Sequence, residues 1–90
     1  MKSDDLKTIN GAQLRAARAL LNISAQELAS MASVGVATIR RAEANDNSSN
    51  MSAVVEKAII TALTDAGVEL IAENGGGAGV RLTKAADDKP

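Results

Sequence analysis

The chain has 90 residues, 46% of them hydrophobic, with no Phe, Tyr, Trp, Cys or His and a formal net charge of -1. That length supports one domain, which buries only about 60–65% of the surface its unfolded chain exposes, around a core of Leu, Ile, Val, Met and Ala that buries less area per residue than an aromatic one. Without thiol or imidazole, disulfides, thiolate nucleophiles, the commonest zinc ligands and the usual general base are excluded, so no catalytic residues, metal or cofactor are expected.

The charges are unevenly spread. Residues 1–45 carry six Lys/Arg against four Asp/Glu and residues 46–90 four against seven, so an anion-binding surface is expected in the first half. The start, "MKSDDLKTIN", has no apolar stretch of signal-peptide length, and no run approaches the roughly 20 apolar residues that span a bilayer. The reading is a soluble, cytoplasmic protein with no membrane partner.

Residues 1–9 read as a polar tail. "NGAQLRAARALLN" then offers Asn10 as an N-cap, with Leu14, Ala17 and Leu21 at helical spacing and Arg15 and Arg18 among them. "SAQELASMA" starts a second helix at Ser24, since Glu27 three residues later completes a capping box. After "SVG", where Gly35 is expected to take a backbone conformation that other residues resist, "VATIRRAEA" resumes the helical pattern.

"NDNSSN", residues 45–50, consists of turn and cap formers and predicts a surface loop. "SAVVEKAIITALTDAG" places Val55, Ala58, Ile59, Ala62, Leu63 and Ala66 on one stripe, with Gly67 as C-cap. Beyond it, "VELIAE" and "VRLT" alternate around "NGGGAG", which predicts a β-hairpin over residues 68–83 with Val68, Leu70, Val80 and Leu82 on a shared face. The glycine run is followed by neither G-K-[ST] nor a helix, so it reads as a hairpin loop rather than a phosphate loop. Residues 84–90 read as a second tail.

The fold expected is therefore mainly α, four to five helices and then a hairpin, with Leu14, Leu28, Ile39, Ile59 and Leu63 in the core. Residues 24–43 form its centre: helix, turn, helix, with small Ala29 where the helices cross and Leu28, Val34 and Ile39 interlocking beneath the turn.

In "GAQLRAARALLNISAQELASMASVGVATIRRAE" the elements "RAAR", "ELA" at 27–29 and "ATIRR-E" at 37–43 resemble the Cro/C1-type, XRE-like helix-turn-helix regulators, over residues 10–43. The resemblance implies a lambda-repressor-like domain over 10–67 whose third helix, residues 36–43, lies in a DNA major groove. It implies base contacts from Val36, Ala37 and Arg41, with Thr38, Arg40 and the start of the second helix, Ser24 and Gln26, near phosphates, and Gly35 also among the DNA-binding residues. It also implies a structural ion pair between Arg18 and Glu43. The chain departs from the family pattern at Ala25, where Gln is usual, at Ser33, often Gly, at Gly35, often Ser or Thr, and at Ile23, where an aromatic is common.

The residues themselves fit such roles. A guanidinium forks onto guanine O6 and N7 or grips a phosphate, whereas Val36 and Ala37 offer only apolar contact, as to a thymine methyl. By charge alone Arg40 and Arg41 read as a solvated helix face, and the helix-turn-helix spacing around them turns that reading to DNA contact. For Val68, Leu70, Val80 and Leu82, core packing and dimerisation through an edge strand both stand. The function expected is a homodimeric transcriptional repressor on a palindromic operator, nucleoid-associated when bound. The alternative is an antiactivator or antitoxin-like protein that uses the same fold to bind a protein partner.

Overall fold

A computed structural model describes residues 8–46, 51–73 and 75–83. They form four helices, α1 Gly11–Leu21, α2 Ala25–Ala32, α3 Val36–Glu43 and α4 Ala53–Ala66, followed by an antiparallel pair of strands, β1 Val68–Ile71 and β2 Gly79–Leu82. No fifth helix is present among the described residues. Residues 1–7 and 84–90 of the expected tails, and residues 47–50 of the expected loop, lie outside them.

Three of the four helices begin where a side chain can satisfy their orphan amides. Asn10 caps α1 and Ser24 caps α2, each in a full capping box, and the Ser52 hydroxyl accepts from Val55 N at the start of α4. The partner of Asn10 is Gln13, whose Oε1 accepts from Asn10 N at 3.0 Å while Asn10 Oδ1 accepts from Gln13 N at 2.8 Å. Before each of the first two caps stands an isoleucine: Ile9 is buried with Leu14, and Ile23 packs on the core with Leu28. These are the positions of a hydrophobic staple, which sets the direction in which the chain enters the helix. Ile9, read from the sequence as part of the N-terminal tail, is instead in the core and donates its N–H to Glu56 Oε2 at 2.9 Å.

All four helices and β1 feed one core. Leu14, Leu28, Ile39, Ile59, Leu63 and Val68 are fully buried, each stabilising the fold by about 1.5–3 kcal/mol relative to exposure. Ala17, Ala29 and Ala42 are buried between them, and their small side chains let the short helices approach closely. On α4 the buried set is Ile59, Ile60, Ala62 and Leu63. Ile60 thus joins a stripe that the spacing had drawn without it, while Val55, Ala58 and Ala66 are only half-buried.

The closest approach of backbone to backbone is at Gly11. Its N–H donates to Asn45 O at 3.1 Å, and a Cβ built there would lie 2.1 Å from that oxygen and 2.7 Å from Ala42 O. The first turn of α1 is thus seated on the end of α3, and only glycine fits.

The hairpin follows Gly67, which ends α4 with φ 108°. Its register pairs Val68 with Leu82, Glu69 with Arg81, Leu70 with Val80 and Ile71 with Gly79. Gly79 belongs to β2, while Ala72 and Glu73, read as strand, lie beyond β1. Val68, Leu70 and Val80 turn toward the helices, and the opposite face carries an Arg81–Glu69 ion pair at 3.0 Å.

The helical body holds this hairpin through the buried amide of Gln13, whose Nε2 donates to Gly79 O at 3.0 Å and to Ile71 O at 3.3 Å. Gln13→Ala leaves Asn10 N and two strand carbonyls without this partner, an expected loss of about 1–3 kcal/mol. Thermal melts measure that loss, and amide hydrogen exchange should show β1 and β2 losing protection before α2.

Candidate nucleic-acid interface

Helices α2 and α3 are joined by residues 33–35, and this turn differs from the sequence expectation. Gly35 is the N-cap of α3 with φ −75° and ψ 147°, an ordinary extended conformation. The left-handed residue is Ser33, at φ 59° and ψ 44°, the C-cap of α2. The reversal of direction occurs where the α2 carbonyls are capped: Ser33 N donates to Ser30 O at 3.2 Å and Val34 N to Ala29 O at 2.9 Å. A side chain at Gly35 would meet nothing within 4 Å, and glycine leaves α3 with no side-chain cap.

The far end of α3 is held firmly. Arg18, on α1, donates Nε to Glu43 Oε2 at 2.7 Å and Nη2 to Glu43 Oε1 at 2.9 Å, and its Nη1 donates to Ile23 O at 3.1 Å. The Glu43 hydrogen bond raises the Arg18 pKa above its ordinary value, opposed by desolvation and aided by the carboxylate charge. Arg15, one turn earlier, donates to Glu43 O and to the Asp46 carboxylate. Two arginines of the first half are thus spent on holding α3 to α1.

Ile39, Ala42 and Glu43 form the buried side of α3. Val36 is only half-buried and packs on the core, and Thr38 is half-buried, so the solvent-facing surface is narrower than expected. Val36 in particular belongs to the packing of α3, because it sits at the first helical position and an apolar β-branched side chain there closes over the core. The outward residues are Ala37, Arg40 and Arg41, with Ala44 just past the helix.

At the start of α2, Ser24 and Gln26 are exposed, and Ser24 is engaged in its cap. Ala25 packs on the core, a small residue seated beneath the helix beside the exposed Gln26. The site residues thus divide: Gln26, Gly35, Ala37, Arg40 and Arg41 lie open, Ser24 is exposed but used as a cap, and Val36 and Thr38 are partly enclosed.

The residues that position the site and escaped the sequence reading are Gln13, Gly11 and Arg15. Of these only Gln13 carried a local signal, three residues after Asn10 at the capping-box spacing. The reach of Arg15 to α3 and the close approach at Gly11 depend on tertiary neighbours.

The elements present define a small, mainly helical domain of four helices with a terminal β-hairpin. Among the described residues no group of acidic, His or Cys side chains is arranged to hold a metal ion, and no helix is long and apolar enough to cross a membrane. No protein-family model matches the chain, and no curated protein matches it significantly.

Two changes test this local account. Ser33→Gly relieves a left-handed L-residue and Gly35→Ser supplies the missing cap. Together they are expected to stabilise the fold by about 1–2 kcal/mol, a rise of roughly 4–16 °C in melting temperature for a domain of this size. Glu43→Gln removes the charge that Arg18 is bound to. Because the Arg18 side chain is 23% exposed against 9% for Glu43, the expected loss in a denaturant titration is roughly 1–3 kcal/mol, below the full penalty of an entirely buried pair.

Proposed function

We propose that the protein is a sequence-specific, DNA-binding transcriptional regulator of the helix-turn-helix, lambda-repressor-like class, most simply a repressor, that reads a palindromic operator as a homodimer with α3 in the major groove. The observation that carries this reading is how the arginines are used. Of the five in the chain, Arg15, Arg18 and Arg81 are each bound to a carboxylate. Arg40 and Arg41, adjacent on the outward side of α3, are exposed and have no hydrogen-bond or ion-pair partner among the described residues.

A helix that presents two unpaired guanidinium groups beside small Ala37 and Ala44 can approach an anionic surface closely. An α-helix fits the major groove, where Arg41 would fork onto a guanine edge while Arg40 meets a phosphate. Gln26 and the open backbone at Gly35 lie at the two helix starts that would face the sugar-phosphate chain. One such helix with few cations gathers little phosphate contact, so two subunits on half-sites about 34 Å apart suit the geometry, and affinity should fall steeply with salt.

Selection of bound fragments from random duplex DNA at moderate salt is the test, and a palindromic consensus is the expected result. On that consensus, Arg41→Ala should weaken binding by roughly 5- to 150-fold and relax the preference at one base pair per half-site, the effect of losing a contact of about 1–3 kcal/mol. Recovery of no duplex sequence, or unchanged affinity and base preference in Arg41→Ala, would overturn the reading.

A further inference from the structure

We propose that α3 reads a C5-methylated pyrimidine followed by guanine, the 5′-TG-3′ step of ordinary DNA, through the methyl group of Ala37 and the guanidinium of Arg41. The inference rests on the proposed DNA reading and deepens it by naming the base step. Its basis is the hydrogen-bonding chemistry that the open surface of α3 possesses.

Outward on α3 stand Ala37, Arg40 and Arg41, with Ala44 just past its end. An arginine side chain has N–H donors and no acceptor, and an alanine side chain has neither. Asn and Gln, which pair with the adenine edge by giving one hydrogen bond and taking another, are absent from residues 36–44. A carboxylate can take a hydrogen bond from the cytosine amino group, but the one carboxylate of α3, Glu43, is buried and held by Arg18 Nε and Nη2 at 2.7 and 2.9 Å. Thr38, its one hydroxyl, is half-buried. The open side chains of α3 therefore give hydrogen bonds and take none.

Such a surface distinguishes bases in two ways. The paired acceptors O6 and N7 mark guanine, and the C5 methyl marks thymine, whereas adenine and cytosine each turn an amino group into the major groove that a guanidinium cannot satisfy. Arg40 and Arg41 are exposed and without a partner among the described residues, so donors for guanine are free. Long side chains on a helix lean toward its N-terminus, over the residues three and four before them. Both arginines thus run past Ala37. With only a methyl at that position, the aliphatic stem and flat face of Arg41 stay open beside it, an apolar notch with a donor fork at its rim.

The two signals are neighbours in DNA. On one strand the C5 substituent of a pyrimidine stands beside the O6 and N7 edge of the guanine that follows it. A guanidinium forked onto that guanine covers the methyl with its face, and Ala37 closes the other side. One alanine and one arginine thereby specify a base step rather than two separate bases. 5-Methylcytosine presents the same methyl before guanine but carries an amino group where thymine has the O4 acceptor. Beside side chains that only donate, thymine is the better of the two.

The test is made first on the DNA, which leaves the protein unaltered. In the duplex recovered by selection, the pyrimidine of one TG step is changed from thymine to deoxyuridine, to cytosine and to 5-methylcytosine, each opposite its proper partner. Thymine differs from deoxyuridine, and 5-methylcytosine from cytosine, by the methyl alone. Fluorescence anisotropy titrations should show the methyl tightening binding about fourfold in each pair, the value of one buried methyl-sized group, with the thymine duplex the tightest. Ala37→Gln brings a bulky amide into the notch, and Arg41→Lys keeps the charge without the fork or the flat face. Both variants, with helical circular dichroism unchanged, should bind the thymine and deoxyuridine duplexes alike.

A consensus without a TG step would overturn the inference and leave the DNA reading standing, as would a methyl that changes affinity in neither pair. A folded Ala37→Gln that still separates thymine from deoxyuridine would overturn the assignment to Ala37. A 5-methylcytosine duplex bound more tightly than the thymine one would uphold the methyl contact and make methylated cytosine its source. Recovery of no duplex refutes the DNA reading itself, and this inference with it.

Discussion

The side-chain amide of Gln13 joins three parts of the chain that local propensity alone would leave apart. Its oxygen completes the cap of α1 at Asn10, and its nitrogen reaches the carbonyls of Ile71 and Gly79 on the two strands. A buried amide must be satisfied or the fold loses its desolvation energy, and here every contact lies on a different element. A two-stranded hairpin is marginal by itself in water, so this anchor, together with the fully buried Val68, is what makes the terminal strands part of the domain.

The same turn of α1 fixes α3. Gly11 is packed against Asn45 and Ala42 at the end of α3, and Arg15 and Arg18 grip Glu43 from the next two turns. The C-terminal end of α3 is therefore held by backbone contact, by a bidentate ion pair and by a hydrogen bond to a main-chain carbonyl. Its N-terminal end has neither a side-chain cap nor a glycine at the left-handed position of the turn. A helix secured at one end presents Arg40 and Arg41 in a fixed setting, which the proposed DNA reading requires. The looser start follows from the exchange of residue types at Ser33 and Gly35.

Much of this was legible locally. Asn10 and Ser24 stand before apolar periods, and each cap forms because its hydroxyl or amide meets orphan N–H groups within three residues. Leu14, Leu28, Ile39, Ile59 and Leu63 recur at helical spacing and are buried together, and the alternation of Val68, Leu70, Val80 and Leu82 gives them one side of the hairpin. The turn was misread because glycine signals conformational freedom without saying which residue needs it. Ser33 takes the left-handed cap, and Gly35 does not use its freedom. The resemblance puts Val36 on the outward face, whereas at the first position of α3 it packs half-buried against the core.

From the sequence alone follow the helices and strands, their order, most of the core and the absence of thiol and imidazole side chains, because these depend on residue type and on spacing along one element. Which arginines are free was decided only in three dimensions. Arg15, Arg18, Arg40 and Arg41 are alike in sequence, and each is exposed or half-buried on a helix. Glu43 and Asp46, brought to α1 from α3 and the residues after it, bind the first two and leave the second two open. The unequal cover of the hairpin is likewise a tertiary outcome, since the core encloses the Val68 side chain and leaves that of Leu82, its cross-strand partner, at the surface.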